Sequence, residues 1–132
     1  MVSTRQARRL LRSFCPEVLL EVVPRGNCYT DSVVQKASGR LKIRWAPRNG
    51  YTTLLHEIGH LRLRHFGSKA QARQRGSKAE SVMAEAAAWL WAEHAARKAR
   101  LPFDYALADL GFRTYVEGVR VGWRYASSAK SE

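Results

Sequence analysis

Apolar residues recur at helical spacing near the start of the chain, where Ala7, Leu10, Leu11 and Phe14 form one stripe among Arg5, Arg8, Arg9 and Arg12. This predicts a helix over 4–14, capped by Ser3 or Thr4 and ended by Pro16. Glu17–Val23 reads as a strand, closed by the turn residues Pro24-Arg25-Gly26-Asn27. Cys28 to Gln35 fits a second strand or a short irregular segment. Leu41-Lys42-Ile43-Arg44-Trp45 alternates apolar and basic residues, the pattern of a strand with one face buried. Its position ahead of the next helix makes it a candidate sheet edge, to which an extended peptide can add by backbone hydrogen bonds. Helical spacing returns over Tyr51–His65, with Thr52 or Thr53 as cap and Leu54, Leu55, Ile58, Leu61 and Leu63 on the buried side. Gly59 inside this helix costs about 1 kcal/mol against alanine, which implies close packing at that point. Phe66-Gly67-Ser68 ends the helix. Glu80–Arg100 is the longest helical stretch, rich in alanine, with Arg97, Lys98 and Arg100 at the favourable end of its dipole and Pro102 beyond. Phe103–Leu110 is a shorter helix that Gly111 breaks. Phe112, Tyr115, Val116 and Val119 suggest a last helical or mixed segment, and Val121, Trp123 and Tyr125 a short strand or packing tail. The sum is an α+β fold: an N-terminal helix, a small curved sheet of two to three strands, then two principal helices. It forms a single domain over 1–126, with a flexible polar tail over 127–132.

Composition supports a folded chain. The 132 residues are 45% hydrophobic and include four tryptophans, enough for one core. No apolar run reaches the length of a membrane span, and the basic N-terminus lacks the apolar segment of a secretory signal, so a cytoplasmic location is expected. Cys15 and Cys28 make no disulfide scaffold, and a reducing compartment suits them at least as well as a bridge between them. The net charge of +12 admits an acidic partner, nucleic acid included, without requiring one. The most one-sided run lies between His60 and Glu80, where Arg62, Arg64, Lys69, Arg73, Arg75 and Lys78 meet no acidic residue.

The chemistry is concentrated in His56-Glu57-Ile58-Gly59-His60. On a helix, this H-E-x-x-H pattern sets two imidazoles one turn apart on one face, where both can bind one ion, and puts Glu57 within reach of a water on it. A catalytic zinc site keeps three protein ligands and leaves a position for water, whose pKa the metal lowers. A helix can also carry two unconnected histidines, so a third ligand matters. Glu85 is the first candidate, because a carboxylate on a largely apolar, alanine-rich helix is costly to bury unless paired or metal-bound. Glu80 is the rival, though a carboxylate at a helix start is also explained by capping or by the dipole. Glu93 and His94 read as surface or supporting groups. His65 is poorly placed as a ligand from the same straight helix and reads as a supporting or substrate-touching residue. Tyr51, Tyr105 and Tyr115 are candidates to stabilise an oxyanion, and the sequence does not choose among them.

The run Leu54-Leu55-His56-Glu57-Ile58-Gly59-His60-Leu61-Arg62-Leu63-Arg64-His65, followed by Glu85-Ala86 with Trp89 and Leu90, resembles the ImmA/IrrE family of small zinc metallopeptidases. The likeness covers roughly 41–100. It implies a minimal, gluzincin-like zincin fold in which His56, His60 and Glu85 hold zinc and Glu57 is the general base. His65 would match a histidine common after the motif. The implied activity is cleavage of one protein substrate, a transcriptional repressor or other regulator, in the setting of a phage or mobile element. The metzincin pattern fails, since Leu63 and Phe66 stand where its glycine and histidine would be. Two alternatives stay open: a zinc-containing regulatory binding protein that hydrolyses nothing, and a SprT-like DNA-associated protease. The charge favours the latter, but it would need a third histidine further from the motif than His65.

Overall fold

The computed structural model describes residues 2–24, 29–31, 42–63 and 78–115. His65, Cys28, most of the basic run over 62–78, the segment carrying Val121, Trp123 and Tyr125, and the tail over 127–132 lie outside the described residues. The order is α1 (Thr4–Phe14), β1 (Leu19–Val22), β2 (Tyr29–Asp31), β3 (Lys42–Trp45), a 3-10 turn (Pro47–Asn49), α2 (Gly50–Arg62), α3 (Lys78–Ala99) and α4 (Tyr105–Tyr115). This is the expected α+β arrangement.

α1 forms over the residues its pattern predicts. The Ser3 hydroxyl accepts the Gln6 N–H at 3.1 Å and the Gln6 side-chain oxygen accepts the Ser3 N–H at 3.0 Å, a reciprocal capping box. Ala7 and Leu11 are buried, Leu10 and Phe14 pack against the core, and the four arginines face outward.

The sheet order is β1-β3-β2, with β3 parallel to β1 and antiparallel to β2. Ile43 pairs with Leu20 on one side and Thr30 on the other. The strand expected at an edge is therefore the central one, and both its hydrogen-bonding sides are used. Alternation reports that one face is buried, and a central strand of a one-sided sheet alternates as an edge strand does. Ile43 and Trp45 are fully buried with Ala7 and Leu11 of α1, Leu54, Leu55 and Ile58 of α2, and Ala92 and Ala96 of α3.

Trp45 also ties the sheet to the head of α2, its indole N–H donating to the Gly50 carbonyl at 3.1 Å. Gly50 has φ +71°, where a side chain would be strained. The 3-10 turn leads straight into α2, so neither Thr52 nor Thr53 caps it. Thr53 donates to the Asn49 carbonyl at 2.8 Å, and Thr52 accepts the Asp104 N–H at 2.9 Å. The helix ends at Arg62, three residues sooner than its spacing suggests, and Leu63 is exposed.

α3 ends as expected, in a Schellman-like turn. Arg100 takes φ +57°, and the Leu101 N–H reaches the Ala96 carbonyl at 2.8 Å. The Asp104 carboxylate then accepts the Leu107 N–H at 3.0 Å at the head of α4. Gly111 does not break α4. A Cβ at Gly111 would lie 2.9 Å from Trp89 Cζ2, so the glycine makes room for the indole. No helix among the described residues is long and apolar enough to cross a membrane.

The packing expected at Gly59 is present. A Cβ there would stand 2.8 Å from the Ala88 carbonyl oxygen and 3.3 Å from Trp91 Cε3, so α2 and α3 touch backbone to backbone. Gly59→Ala gains about 1 kcal/mol of helix propensity. It must also push apart two backbones that cannot yield as a side chain does, an overpacking cost of roughly 1–3 kcal/mol. We expect a net loss of stability in urea unfolding; a variant more stable than the parent would show the helices to be free to separate.

Candidate metal centre

α2 sets His56 and His60 one turn apart toward α3, with their Nε2 atoms 3.2 Å apart and their rings inclined at 74°. From α3, the Glu85 carboxylate reaches both: Oε1 lies 2.6 Å from His56 Nε2 and Oε2 lies 3.0 Å from His60 Nε2. Glu85 is only 4% exposed. A carboxylate so buried requires compensation, and here two imidazoles supply it.

The donor set fits a metal ion. Zinc held tetrahedrally by nitrogens about 2.0–2.1 Å away separates its ligand atoms by roughly 3.3 Å. The two Nε2 atoms match that separation, and the Glu85 oxygens are as close as ion pairing brings them. His56, Glu57 and His60 also offer donor atoms within 4.8 Å of one another, a cluster able to hold a metal ion. Glu57, however, meets the opposite side of the His56 ring, its Oε2 lying 3.0 Å from Nδ1. One imidazole cannot turn both nitrogens to one ion, so Glu85 shares the convergent side and Glu57 backs it. A carboxylate on the outer nitrogen fixes the tautomer and direction of a ligating histidine.

Electrostatics follow from this clustering. Burial pushes the His56 pKa down, but hydrogen bonds to Glu57 and Glu85, with the charges of both, overcome it and raise the pKa to about 9. Burial pushes Glu85 up, but its hydrogen bonds to His56 and His60, with their charges, bring it down to about 2. The Trp89 indole stacks on the His56 ring at 3.8 Å between centroids and 13° between planes, a face that favours a cation.

Trp89 is the site residue whose role spacing alone does not reveal. It follows Glu85 by four residues, the spacing that shares a helix face. The same spacing continues to Glu93, which is 2% exposed rather than on the surface; its Oε2 lies 3.6 Å from an Arg97 nitrogen. His94 is exposed as expected. Of the tyrosines, Tyr51 packs against the main core, and Tyr105 is exposed and lies edge-on to Phe103 at 5.0 Å. Tyr115 ends α4, and its side chain, like that of Glu80 in α3, lies outside the described residues. Cys15 is a free, buried thiol whose pKa burial and Glu17 raise.

Comparison of the chain with known protein families, with characterised proteins and with solved structures finds no match. The functional reading therefore rests on the site itself.

The two shifts define a pH window for the metal-free chain. His56 is raised from 6.5 to about 9, so its contribution to stability is complete below pH 6.5 and lost as pH rises through about 9. Glu85 is lowered from 4.5 to about 2, so its contribution is present above pH 4.5 and lost as pH falls toward about 2. Unfolding of chelator-treated protein should therefore show maximal stability between pH 4.5 and 6.5, with both flanks flattened in Glu85→Gln. Identical pH profiles for parent and variant would contradict the pairing.

Proposed function

We propose that this chain is a zinc-dependent endopeptidase. The observation that carries the reading is the meeting of the Glu85 carboxylate with Nε2 of both His56 and His60. These three side chains would hold the ion, which when bound supplies a lowered water pKa and a polarised scissile carbonyl. Glu57 is the general base: its carboxylate accepts the proton of the attacking water and passes it to the leaving amine. In the chain without metal the same carboxylate rests 3.0 Å from His56 Nδ1, so acting as the base requires it to turn from Nδ1 toward the Nε2 side; Trp89 covers one face of that imidazole. Loading the site requires His56 to give up its proton, so metal affinity rises with pH. The resemblance to the ImmA/IrrE peptidases supplies the substrate class within this reading: a single regulatory protein, such as a transcriptional repressor, cut in the cytoplasm.

One observation favours a second reading. Glu57 is buried against His56 Nδ1, on the side of the ring away from Nε2, a position that supports a ligating histidine and serves a metal site with no hydrolysis. Two variants separate the readings. Elemental analysis should find one zinc per chain in the parent and at least about tenfold weaker retention in Glu85→Ala, since one of three protein ligands is gone. Glu57→Gln should keep zinc and lower cleavage of the substrate by about 10²–10⁴-fold. Zinc retained in full by Glu85→Ala would remove Glu85 from the site. Cleavage by Glu57→Gln at the parent rate would remove Glu57 as the base; zinc held without cleavage by the parent, with partner affinity unchanged in Glu57→Gln, would leave the binding reading; and no zinc in either protein after supply would overturn both.

A further inference from the structure

The outer face of α1 has no role in the metal centre or the core. Arg5, Arg8, Arg9 and Arg12 are all exposed, and at about 100° per residue they fall within roughly 100° of arc, opposite buried Ala7 and Leu11. Among the described residues none of the four pairs with a carboxylate, and α1 itself contains no acidic residue. They stand at i,i+3 and i,i+4 spacing from one another, where like charges repel and weaken a helix. Arg5 also lies in the first turn, the end at which a helix dipole disfavours a cation. Arg12, in the last turn, is favoured by the dipole; the mutual repulsion of the four and the placement of Arg5 oppose the stability of the helix that carries them. The arginines, with Thr4 and Ser13, line an open groove of about 690 Å³.

We propose that the arginine face of α1 is a docking surface for the phosphate backbone of duplex DNA. Guanidinium groups bind phosphate oxygens in pairs and shed water more readily than ammonium groups. Arg5 to Arg12 spans seven residues, about 10 Å along a rigid helix, which suits the fixed phosphate track of a duplex. The face carries no aromatic side chain on which the bases of a single strand would stack; Phe14, at the helix end, is turned inward and edge-on to Trp91 at 5.0 Å. A lipid surface is disfavoured because the apolar side of α1, Ala7 and Leu11, is spent in the core and cannot insert. Binding through phosphates alone is independent of base sequence.

The test is fluorescence anisotropy with a labelled duplex of about 20 bp and arbitrary sequence, titrated at several salt concentrations. The parent protein is compared with Arg8→Gln/Arg12→Gln and with Lys98→Gln/Arg100→Gln, which removes the same net charge from the exposed end of α3. Each lost phosphate contact lowers the slope of log affinity against log salt by about 0.9. The α1 variant should lose about 2 in slope and bind roughly 10- to 60-fold more weakly near 0.1 M salt. The α3 variant should stay close to the parent, and all three should share one circular-dichroism spectrum. Equal losses in both variants would mean that net charge alone binds DNA, and an unchanged slope in the α1 variant would mean that the contacts lie elsewhere. Failure of the parent to bind duplex, with or without binding to poly-glutamate or anionic vesicles, would equally overturn the proposal.

Discussion

The backbone contact between Gly59 and Ala88 governs how this molecule is built around its site. Gly59 precedes His60 by one residue, and Ala88 follows Glu85 by three, so the closest approach of the two helices lies beside the imidazole–carboxylate cluster. A glutamate side chain is short. For its two oxygens to meet nitrogens on two successive turns of a neighbouring helix, the helix axes must come near the lower end of ordinary packing distances. A glycine facing a run of alanines provides that. The propensity cost of Gly59 is thus tied to the same geometry that compensates the buried Glu85 charge.

The cluster is held from two sides. Leu54, Leu55 and Ile58 of α2 join the main core with Ile43 and Trp45 of the central strand, which fixes the helix bearing the histidines. Trp89 belongs instead to a second apolar cluster with Ala86, Ala108 and Phe112, while its ring lies on His56. Gly111 completes this second support by leaving space for the indole edge. Through its described residues α4 influences the site by packing alone: Ala108, Gly111 and Phe112 set the position of Trp89, and Trp89 limits the tilt of the His56 ring. The Thr52–Asp104 hydrogen bond joins the start of α4 to the start of α2 and keeps the two supports in register.

Much of this is legible in the sequence, for reasons particular to each element. α1 is legible to its last residue because its apolar stripe, its cap and its proline stop all agree. His56, Glu57 and His60 are legible through spacing, and Glu85 through the cost of placing a carboxylate among alanines. What spacing does not carry is which face of one helix meets which face of another. Glu85, Trp89 and Glu93 share a four-residue period, yet only the crossing of α3 with α2 shows that the first two point at His56. The place of β3 in the sheet is hidden for a similar reason, since alternation describes a strand's faces and not its neighbours. Gly111 reads as a break because a glycine's local preference says nothing of an indole packed against it from 22 residues away.

The charge distribution of the site gives its chemistry a direction. One imidazole, His56, stands between two carboxylates, Glu57 at Nδ1 and Glu85 at Nε2, all three largely withdrawn from water. Two anions so near each other are tolerated only when a cation lies between or beside them. A proton on His56 meets that need in the chain alone, and the hydrogen bonds and charges of Glu57 and Glu85 raise its pKa to about 9 against the effect of burial. A divalent ion on the Nε2 side would meet the same need with greater charge and would require His56 in its neutral form. Proton and metal are thus alternative occupants of one electrostatic role. A pair of histidines on a solvated helix face would not produce this competition; it arises because Glu85 comes from a second helix, and it makes the cluster able to hold a cation.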